Sequence, residues 1–201
     1  METLKIYNNK IADNQVDVIV KNLKEGNVII FPTDTLYAIA CDALNPKAIE
    51  RVCKIKGINP EKTNLSILCA DIAMASDYAK FSNKDFKLMK DHTPGPFTFL
   101  FRAASSLPKA FKGRKIVGIR IPDYDPVIKI IENLGNPLLS TSIPYKEDDY
   151  GINPDLIEEE FENKADLIIK GEDGKLTPSA IMDCTGDTPE LLREGPLPIQ
   201  I

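Results

Sequence analysis

Apolar residues recur at helical spacing near the start of the chain, and a short apolar run follows them. Four apolar positions within residues 16–23 fall on one face of a helix, and Gly26 follows as a stop. This pattern predicts a helix over residues 12–25. The next run, Val28–Phe31, is apolar throughout and ends at Pro32, which predicts a buried strand.

The rest of the chain continues this alternation of helical and extended patterns. Further helices are predicted from Asn45 to Lys56, from Ser82 toward residue 92, from Val127 to Leu134, and from Asp155 to Asn163. Further strands are predicted at Leu65–Cys69, Phe97–Phe101, Ile116–Ile121, Leu138–Ser142, Leu167–Ile169, Ala180–Met182 and Leu191–Leu192. Strands outnumber helices and the two kinds are mixed. The pattern therefore predicts one α/β (α+β) domain over residues 1–201, a twisted mixed β-sheet with flanking helices and a concave face.

Length and composition agree with a single packed core. The chain has 201 residues, of which 43% are hydrophobic and 27% charged, as in ordinary globular proteins. No apolar run approaches the roughly 18 residues that would span a bilayer, and residues 1–5 lack a signal-peptide pattern. We therefore expect a cytoplasmic protein with no membrane partner.

The four cysteines and the single histidine argue against a metal site built from the protein. No two cysteines form a C-x-x-C pair, and three of them lie in apolar stretches, so we interpret all four as reduced core residues. One histidine, His92, cannot form a histidine-based site alone. Any metal would then be Mg²⁺ that enters with the phosphates of a nucleotide.

Charge is distributed unevenly along the chain. The formal net charge is −5, yet the stretch from Lys80 to Arg120 contains ten Lys or Arg and two acids. Such asymmetry is typical of a surface that faces phosphate or nucleic acid, and equally of solvated charged faces.

Polar side chains follow several of the predicted strands. These are Thr33, Asp34 and Thr35 after the first strand, Ser140 to Ser142 on a later one, Ser179 before another, and Arg193 near the end. Hydroxyl groups and backbone amides at strand ends suit a phosphate or a small amino acid, although ordinary turns have the same composition. The chain has no P-loop, no G-x-G-x-x-G and no G-x-S-x-G, which excludes several common enzyme classes.

Seven short blocks, in order, resemble the YrdC-like superfamily. The blocks are Phe31–Tyr37 (P-T-[ED]-T-x-Y), Ala48–Lys56, Pro94–Thr98 (P-G-P-x-T), Gly118–Pro122 (G-x-R-x-P), Ser140–Ser142, Pro178–Ser179 and Leu192–Gly195. The resemblance covers nearly the whole chain. It implies the superfamily fold with a concave nucleotide-binding groove.

Departures from the superfamily pattern are also informative. The active enzymes carry K-x-R after the second helix and S-x-N on the late strand. Here Lys56 is followed by Ile58 in the arginine position, and Ser142 is followed by Pro144 in the asparagine position. With the replaced glycines of residues 37–41, the chain looks most like the YciO branch.

The resemblance implies an L-threonylcarbamoyladenylate synthase, a nucleotidyltransferase that uses ATP, L-threonine and bicarbonate in tRNA modification. Thr33, Thr35, Arg120, Ser140 and Ser179 would bind threonine; Lys56, Ser142 and Arg193 would bind ATP or AMP, with Lys56 also catalytic. Isoleucine at position 58 cannot form the paired hydrogen bonds that arginine forms with phosphate oxygens, so we expect reduced or altered activity.

The alternative is a protein that binds a nucleotide or double-stranded RNA without efficient turnover, with RNA held by the stretch from Lys80 to Arg120. Single residues also have simpler interpretations. Lys56 would be a helix-end cation, Thr35 a turn residue and Arg120 a surface partner of an acid.

Overall fold

The computed structural model describes residues 1–111, 113, 115–143 and 152–199. The helices are α1 (Asp13–Lys24), α2 (Pro46–Lys56), α3 (Ile72–Tyr78), α4 (Asn83–His92), α5 (Asp125–Leu134) and α6 (Pro154–Phe161). The strands are β1 (Glu2–Lys5), β2 (Ile29–Phe31), β3 (Ala38–Asp42), β4 (Leu65–Leu68), β5 (Ala79–Lys80), β6 (Phe97–Ala103), β7 (Ile116–Arg120), β8 (Leu138–Ser142), β9 (Leu167–Lys170), β10 (Ala180–Asp183) and β11 (Glu190–Arg193). A 3-10 turn, Lys109–Phe111, lies between β6 and β7.

These strands form one mixed sheet. Their order is β1-β9-β2-β3-β8-β4-β7-β6-β10-β11, and β5 pairs with β6 beside this path. The pairs β1–β9, β9–β2, β4–β7 and β6–β10 are parallel, and the other pairs are antiparallel. The prediction of a mixed α/β fold is therefore confirmed.

Helices cover both faces of the sheet because successive strand residues point to opposite sides. On β2, Ile30 packs in the same cluster as α2, α4 and α6, whereas Ile29 and Phe31 pack against α1 and α5. On β8, Leu139 and Leu138 are divided in the same way. Each face of the sheet therefore has its own buried apolar layer.

The pattern of apolar residues did not predict five elements, which are β1, β3, β5, α3 and the 3-10 turn. All five residues of β3 are buried, so the strand lacks alternation, and only Ala75 of α3 is buried, so the helix has no apolar stripe. The predicted capping box of α4 is present, since Ser82 Oγ accepts the N–H of Asp85 and the Asp85 carboxylate accepts the N–H of Ser82.

All four cysteines are free and buried, in agreement with the prediction that they are core residues. Burial raises the pKa of each thiol, that of Cys184 to about 12. In the described part of the chain, the helices lack the length and apolar character that a membrane crossing requires.

Candidate functional site

All eight predicted site residues line one cavity of about 260 Å³. They are Thr33, Thr35, Lys56, Arg120, Ser140, Ser142, Ser179 and Arg193. The fold thus brings together residues that are up to 160 positions apart in sequence. The ligand that each of them binds stays a prediction.

The floor of the cavity is a row of small residues on neighbouring strands. Ser140 pairs with Ser66, and Ser66 pairs with Gly118, so the three residues lie side by side on one face of the sheet. A Cβ atom at Gly118 would lie 2.3 Å from Ser66 Oγ, which leaves room only for glycine. Ser66 was not predicted as a site residue, because its place opposite Ser140 follows from strand register and no local motif includes it.

Arg120, at the end of β7, is held by a buried carboxylate. Its Nη2 donates to the carboxylate of Asp34 and, at 2.9 Å, to Thr35 Oγ1. The side chains of Arg120 and Asp34 are only 11% and 8% exposed. Burial lowers the pKa of Arg120, and the charge of Asp34 opposes this shift. Arg120 is thus a buried cation in the cavity wall, not a surface partner of an acid.

The turn after β2 fixes the two threonines. Thr33 Oγ1 accepts the N–H of Thr35 at 3.0 Å and donates to the carbonyl of Leu36 at 2.8 Å. Thr35 Oγ1 lies 3.1 Å from Thr33 Oγ1 and accepts from Arg120. The interpretation of Thr35 as a turn residue is therefore incomplete, since its hydroxyl also orients Arg120.

A second guanidinium lies near the first. Arg193 Nε and Nη2 donate to the carbonyl of Ser179 at 2.9 and 2.7 Å, and Ser179 Oγ lies 2.9 Å from Thr98 Oγ1. Burial lowers the pKa of Arg193, and the positive charge of Arg120 lowers it further. This part of the cavity therefore combines two cations with the hydroxyl groups of Ser179 and Thr98. Together they are suited to binding an anionic group.

Lys56 also lines the cavity. It is the last residue of α2, after which Gly57 takes a left-handed conformation, and its Nζ donates to the carbonyl of Ser142 on β8. Burial lowers the pKa of Lys56.

Of the two departures from the superfamily pattern, Ile58 and Pro144, the structure describes only the first. Ile58 lines the cavity next to Lys56, so an apolar side chain does occupy the wall at that point. Pro144 lies outside the described residues. Asn64, which was not predicted, also lines the cavity; within the described parts of the chain its buried Oδ1 has no hydrogen-bond partner.

Carboxylates and histidines do not gather around this cavity. In the residues described, no group of three or more His, Cys, Asp or Glu could hold a metal ion. The hydroxyl groups and cations lining the cavity fit phosphate or carboxylate oxygens.

The fold and the cavity define a class of protein: a mixed α/β protein with a polar cavity over its sheet, lined by two guanidinium groups, a lysine and hydroxyl groups. The chain belongs to the family described as Telomere recombination and named for Sua5, YciO and YrdC, whose model matches residues 21–195. The predicted family is therefore confirmed.

Relatives from both branches of the family match. The uncharacterized protein YciO of Escherichia coli is 34% identical over 183 residues, 90% of this chain and 88% of YciO. Its crystal structure has a TM-score of 0.90, at 32% identity, over 98% of this chain and 97% of that chain. Threonylcarbamoyl-AMP synthase of Vibrio vulnificus is 30% identical over 182 residues, 88% of this chain and 96% of the synthase.

A third relative is known with an amino acid bound. The crystal structure of Pyrococcus abyssi Sua5 complexed with L-threonine has a TM-score of 0.89 at 25% identity. The match covers 98% of this chain and 58% of that chain.

Proposed function

We propose that this protein binds L-threonine and ATP in the cavity and forms threonylcarbamoyl-adenylate at a reduced rate. One observation carries the proposal: a single cavity is lined by two guanidinium groups, a lysine and several hydroxyl groups. The synthase named in Vibrio vulnificus and the threonine complex of Pyrococcus abyssi Sua5 support it.

The part of the cavity around Arg120 suits the amino acid. The carboxylate of threonine would accept from Arg120, whose guanidinium is already oriented by Asp34 and Thr35. The hydroxyl groups of Thr33, Ser140 and Ser179 are able to donate to and accept from the remaining polar atoms of the substrate. Because Arg120 is buried, its bond to a carboxylate is poorly screened by water.

The part of the cavity lined by Lys56 and Ser142 suits the nucleotide. Lys56 and Ser142 would contact phosphate oxygens, and Arg193 would do so from the opposite side of the floor. Mg²⁺ would enter with the ATP phosphates and neutralise part of their charge. Lys56 would have to turn from the carbonyl of Ser142 to reach a phosphate.

The reaction joins three substrates. The threonine amine and bicarbonate form a carbamate with loss of water. A carbamate oxygen then attacks the α-phosphorus of ATP, the bond to the β-phosphate oxygen breaks, and pyrophosphate leaves. Negative charge develops on phosphate oxygens in this step, so nearby cations lower its barrier. Ile58 supplies no such charge, which is the reason for expecting slow turnover.

The test is incubation of the pure protein with ATP, Mg²⁺, L-threonine and labelled bicarbonate. We expect labelled threonylcarbamoyl-adenylate and an equal amount of pyrophosphate. Lys56→Met should reduce the rate by about 10²–10³-fold, whereas Lys54→Met, an exposed lysine of the same helix outside the cavity, should not. Folded protein that makes neither product would contradict the proposal.

A second candidate is binding of a nucleotide or double-stranded RNA without turnover. Ile58 in the cavity wall favours it, and so does the exposure of Lys84, Lys87 and Lys90 on α4. Arg120 does not add to that surface because it is buried against Asp34, which corrects its place in the basic stretch. Lys112 and Arg114 of the same stretch lie outside the described residues.

RNA binding is tested by its dependence on salt. If the lysines of α4 contact phosphates, affinity for double-stranded RNA falls steeply as salt rises, because each contact releases counterions. Replacing Lys84, Lys87 and Lys90 together by Ala keeps helix propensity and should reduce both affinity and salt dependence. Equal affinities and slopes in the two proteins would exclude α4 as an RNA surface.

A further inference from the structure

A second cavity, of about 670 Å³, lies where β4 and β7 end. These two strands are parallel neighbours, and each is followed by a helix, α3 after β4 and α5 after β7. The crevice at the carboxyl ends of parallel strands is a common place for ligands in α/β proteins. The residues lining this cleft include none of those lining the first cavity.

The walls of the cleft are mainly apolar. They include the side chains of Ile72, Phe81, Phe86, Ile121, Tyr124 and Ile128. Phe86 is 46% exposed, which is unusual for a large aromatic side chain in a folded protein. A ligand that covered these groups would remove apolar surface from water, and that burial favours binding.

The polar groups of the cleft are chiefly carboxylates. Asp71, Asp123 and Asp125 line it and are exposed, and in the described part of the chain none of the three forms a salt bridge. Among the described residues, the carboxylate of Asp71 accepts the N–H of Met74, and those of Asp123 and Asp125 accept no hydrogen bond. Lys, Arg and His are absent from the described residues lining the cleft. The cleft therefore has a negative rim and an apolar interior.

We propose that this cleft is a binding site for a small organic cation with an apolar body, such as an arylalkyl or alkyl amine. Its volume is within the range of small-molecule pockets, and apolar walls with a few polar groups are typical of them. The carboxylates attract the ammonium group and repel anions. The faces of Phe81, Phe86 and Tyr124 add an attraction for a cation at close range.

The position of the cleft links it to the first cavity. Arg120 ends β7, and the next residues, Ile121 to Asp125, line the cleft. The N–H of Asp123 also donates to Asp34 at 3.2 Å, and Asp34 holds Arg120. The proposal of an amine site does not rest on the proposed threonylcarbamoyl-adenylate activity, because the residues lining the two cavities are different.

The test is an amide chemical-shift titration with 2-phenylethylamine. Two probes of the same shape, neutral 2-phenylethanol and anionic phenylacetate, serve as controls. We expect the amine to shift the amides of the cleft and to bind in the millimolar range, with about tenfold weaker binding of the alcohol and none of phenylacetate. Added salt should weaken binding of the amine and leave that of the alcohol unchanged.

Variants locate the site. Asp71→Asn with Asp123→Asn should weaken amine binding about tenfold, and asparagine retains the helix cap at position 71. Phe86→Ala should also weaken it, with little effect on folding because Phe86 is half exposed. Asp187→Asn, an exposed acid outside both cavities, is the matched control.

Each outcome decides the proposal. Amine binding that is lost in the Asp71/Asp123 variant and kept in the Asp187 variant supports it. Equal binding of amine and phenylacetate overturns it, as does amine binding that all variants retain. Absence of amine binding to the wild type also overturns it.

Discussion

Gly118 on β7 lies beside Ser66 on β4, and the contact between the two residues sets the width of the cavity floor. A Cβ atom at position 118 would lie 2.3 Å from Ser66 Oγ and 3.2 Å from Thr98 Cγ2. Both distances are too short for an ordinary contact. The backbone of Gly118 has no left-handed φ, so its conformation does not require glycine. The lack of space for a Cβ atom does.

Gly118→Ala should destabilise the protein by about 1–3 kcal/mol, the usual range for overpacking a closed site. Removing the obstructing side chain by Ser66→Gly should relieve much of that loss, so the two effects should not add. Chemical denaturation of the single and double variants measures both. An unchanged effect of Gly118→Ala in the Ser66→Gly background would contradict this account of the floor.

Ile58 lines the cavity at the position where the superfamily pattern predicts an arginine. Ile58→Arg should raise the rate of adenylate formation, by up to about 10²-fold, because it supplies a bidentate phosphate donor beside Lys56. Combination with Pro144→Asn should raise the rate further. Asn59→Arg, which adds the same charge outside the cavity, is the control. A rate unchanged by Ile58→Arg, or raised equally by Asn59→Arg, would show that position 58 does not limit turnover.

At the scale of elements, the sequence predicted mainly those with a helical apolar stripe or a run of strand-forming residues. Helix α1 buries Val16, Ile19, Val20 and Leu23, the residues that its spacing marked. Strand β2 is buried at every position and was still predicted, because it consists of isoleucine and phenylalanine. Strand β3 is also buried at every position but was missed, because its sequence AIACD includes two alanines and an aspartate, which are depleted in strands. Helix α3 was missed because seven residues with one buried position carry no periodic signal.

Helix α6 is attached to the sheet by a buried lysine. Lys170, at the end of β9, donates to the carboxylates of Asp155 and Glu158, and Thr3 of β1 donates to Glu158. The hydrogen bond from Lys170 lowers the pKa of Asp155, and bonds from Lys170 and then Thr3 lower that of Glu158. These contacts stabilise the fold above the ordinary carboxyl pKa and are lost as pH falls through the lowered values.

Lys170→Met should therefore lower the melting temperature at pH 7 by about 2–4 °C. The difference in melting temperature from wild type should shrink as the pH is taken below 4, because protonated carboxyl groups carry no charge for the Lys170 ammonium to stabilise. Thermal unfolding between pH 7 and pH 3 measures this, with Lys175→Met, an exposed lysine, as control. A difference that stays constant or grows toward acid pH would contradict the proposed role of Lys170.

At the scale of the whole molecule, the site could be predicted only in part. The eight residues taken from the family resemblance do meet in one cavity. The contacts that orient them could not be read from the sequence, because Asp34 with Arg120 and Lys56 with Ser142 are each 86 positions apart. Ser66 entered the site through strand register, and Asn64 did so as the residue directly before β4. Spacing along the chain carries no information about such pairs.

The central claim is that one cavity binds both an amino acid and a nucleotide. Calorimetric titration of L-threonine and of ATP with Mg²⁺ tests it directly, in wild type and in the Lys56→Met and Arg193→Met variants, with Lys54→Met as control. We predict that wild type and control bind both ligands, and that the two cavity variants weaken ATP binding at least about tenfold. Absence of binding to wild type at millimolar concentration, or equal ATP binding by all four proteins, would contradict the claim.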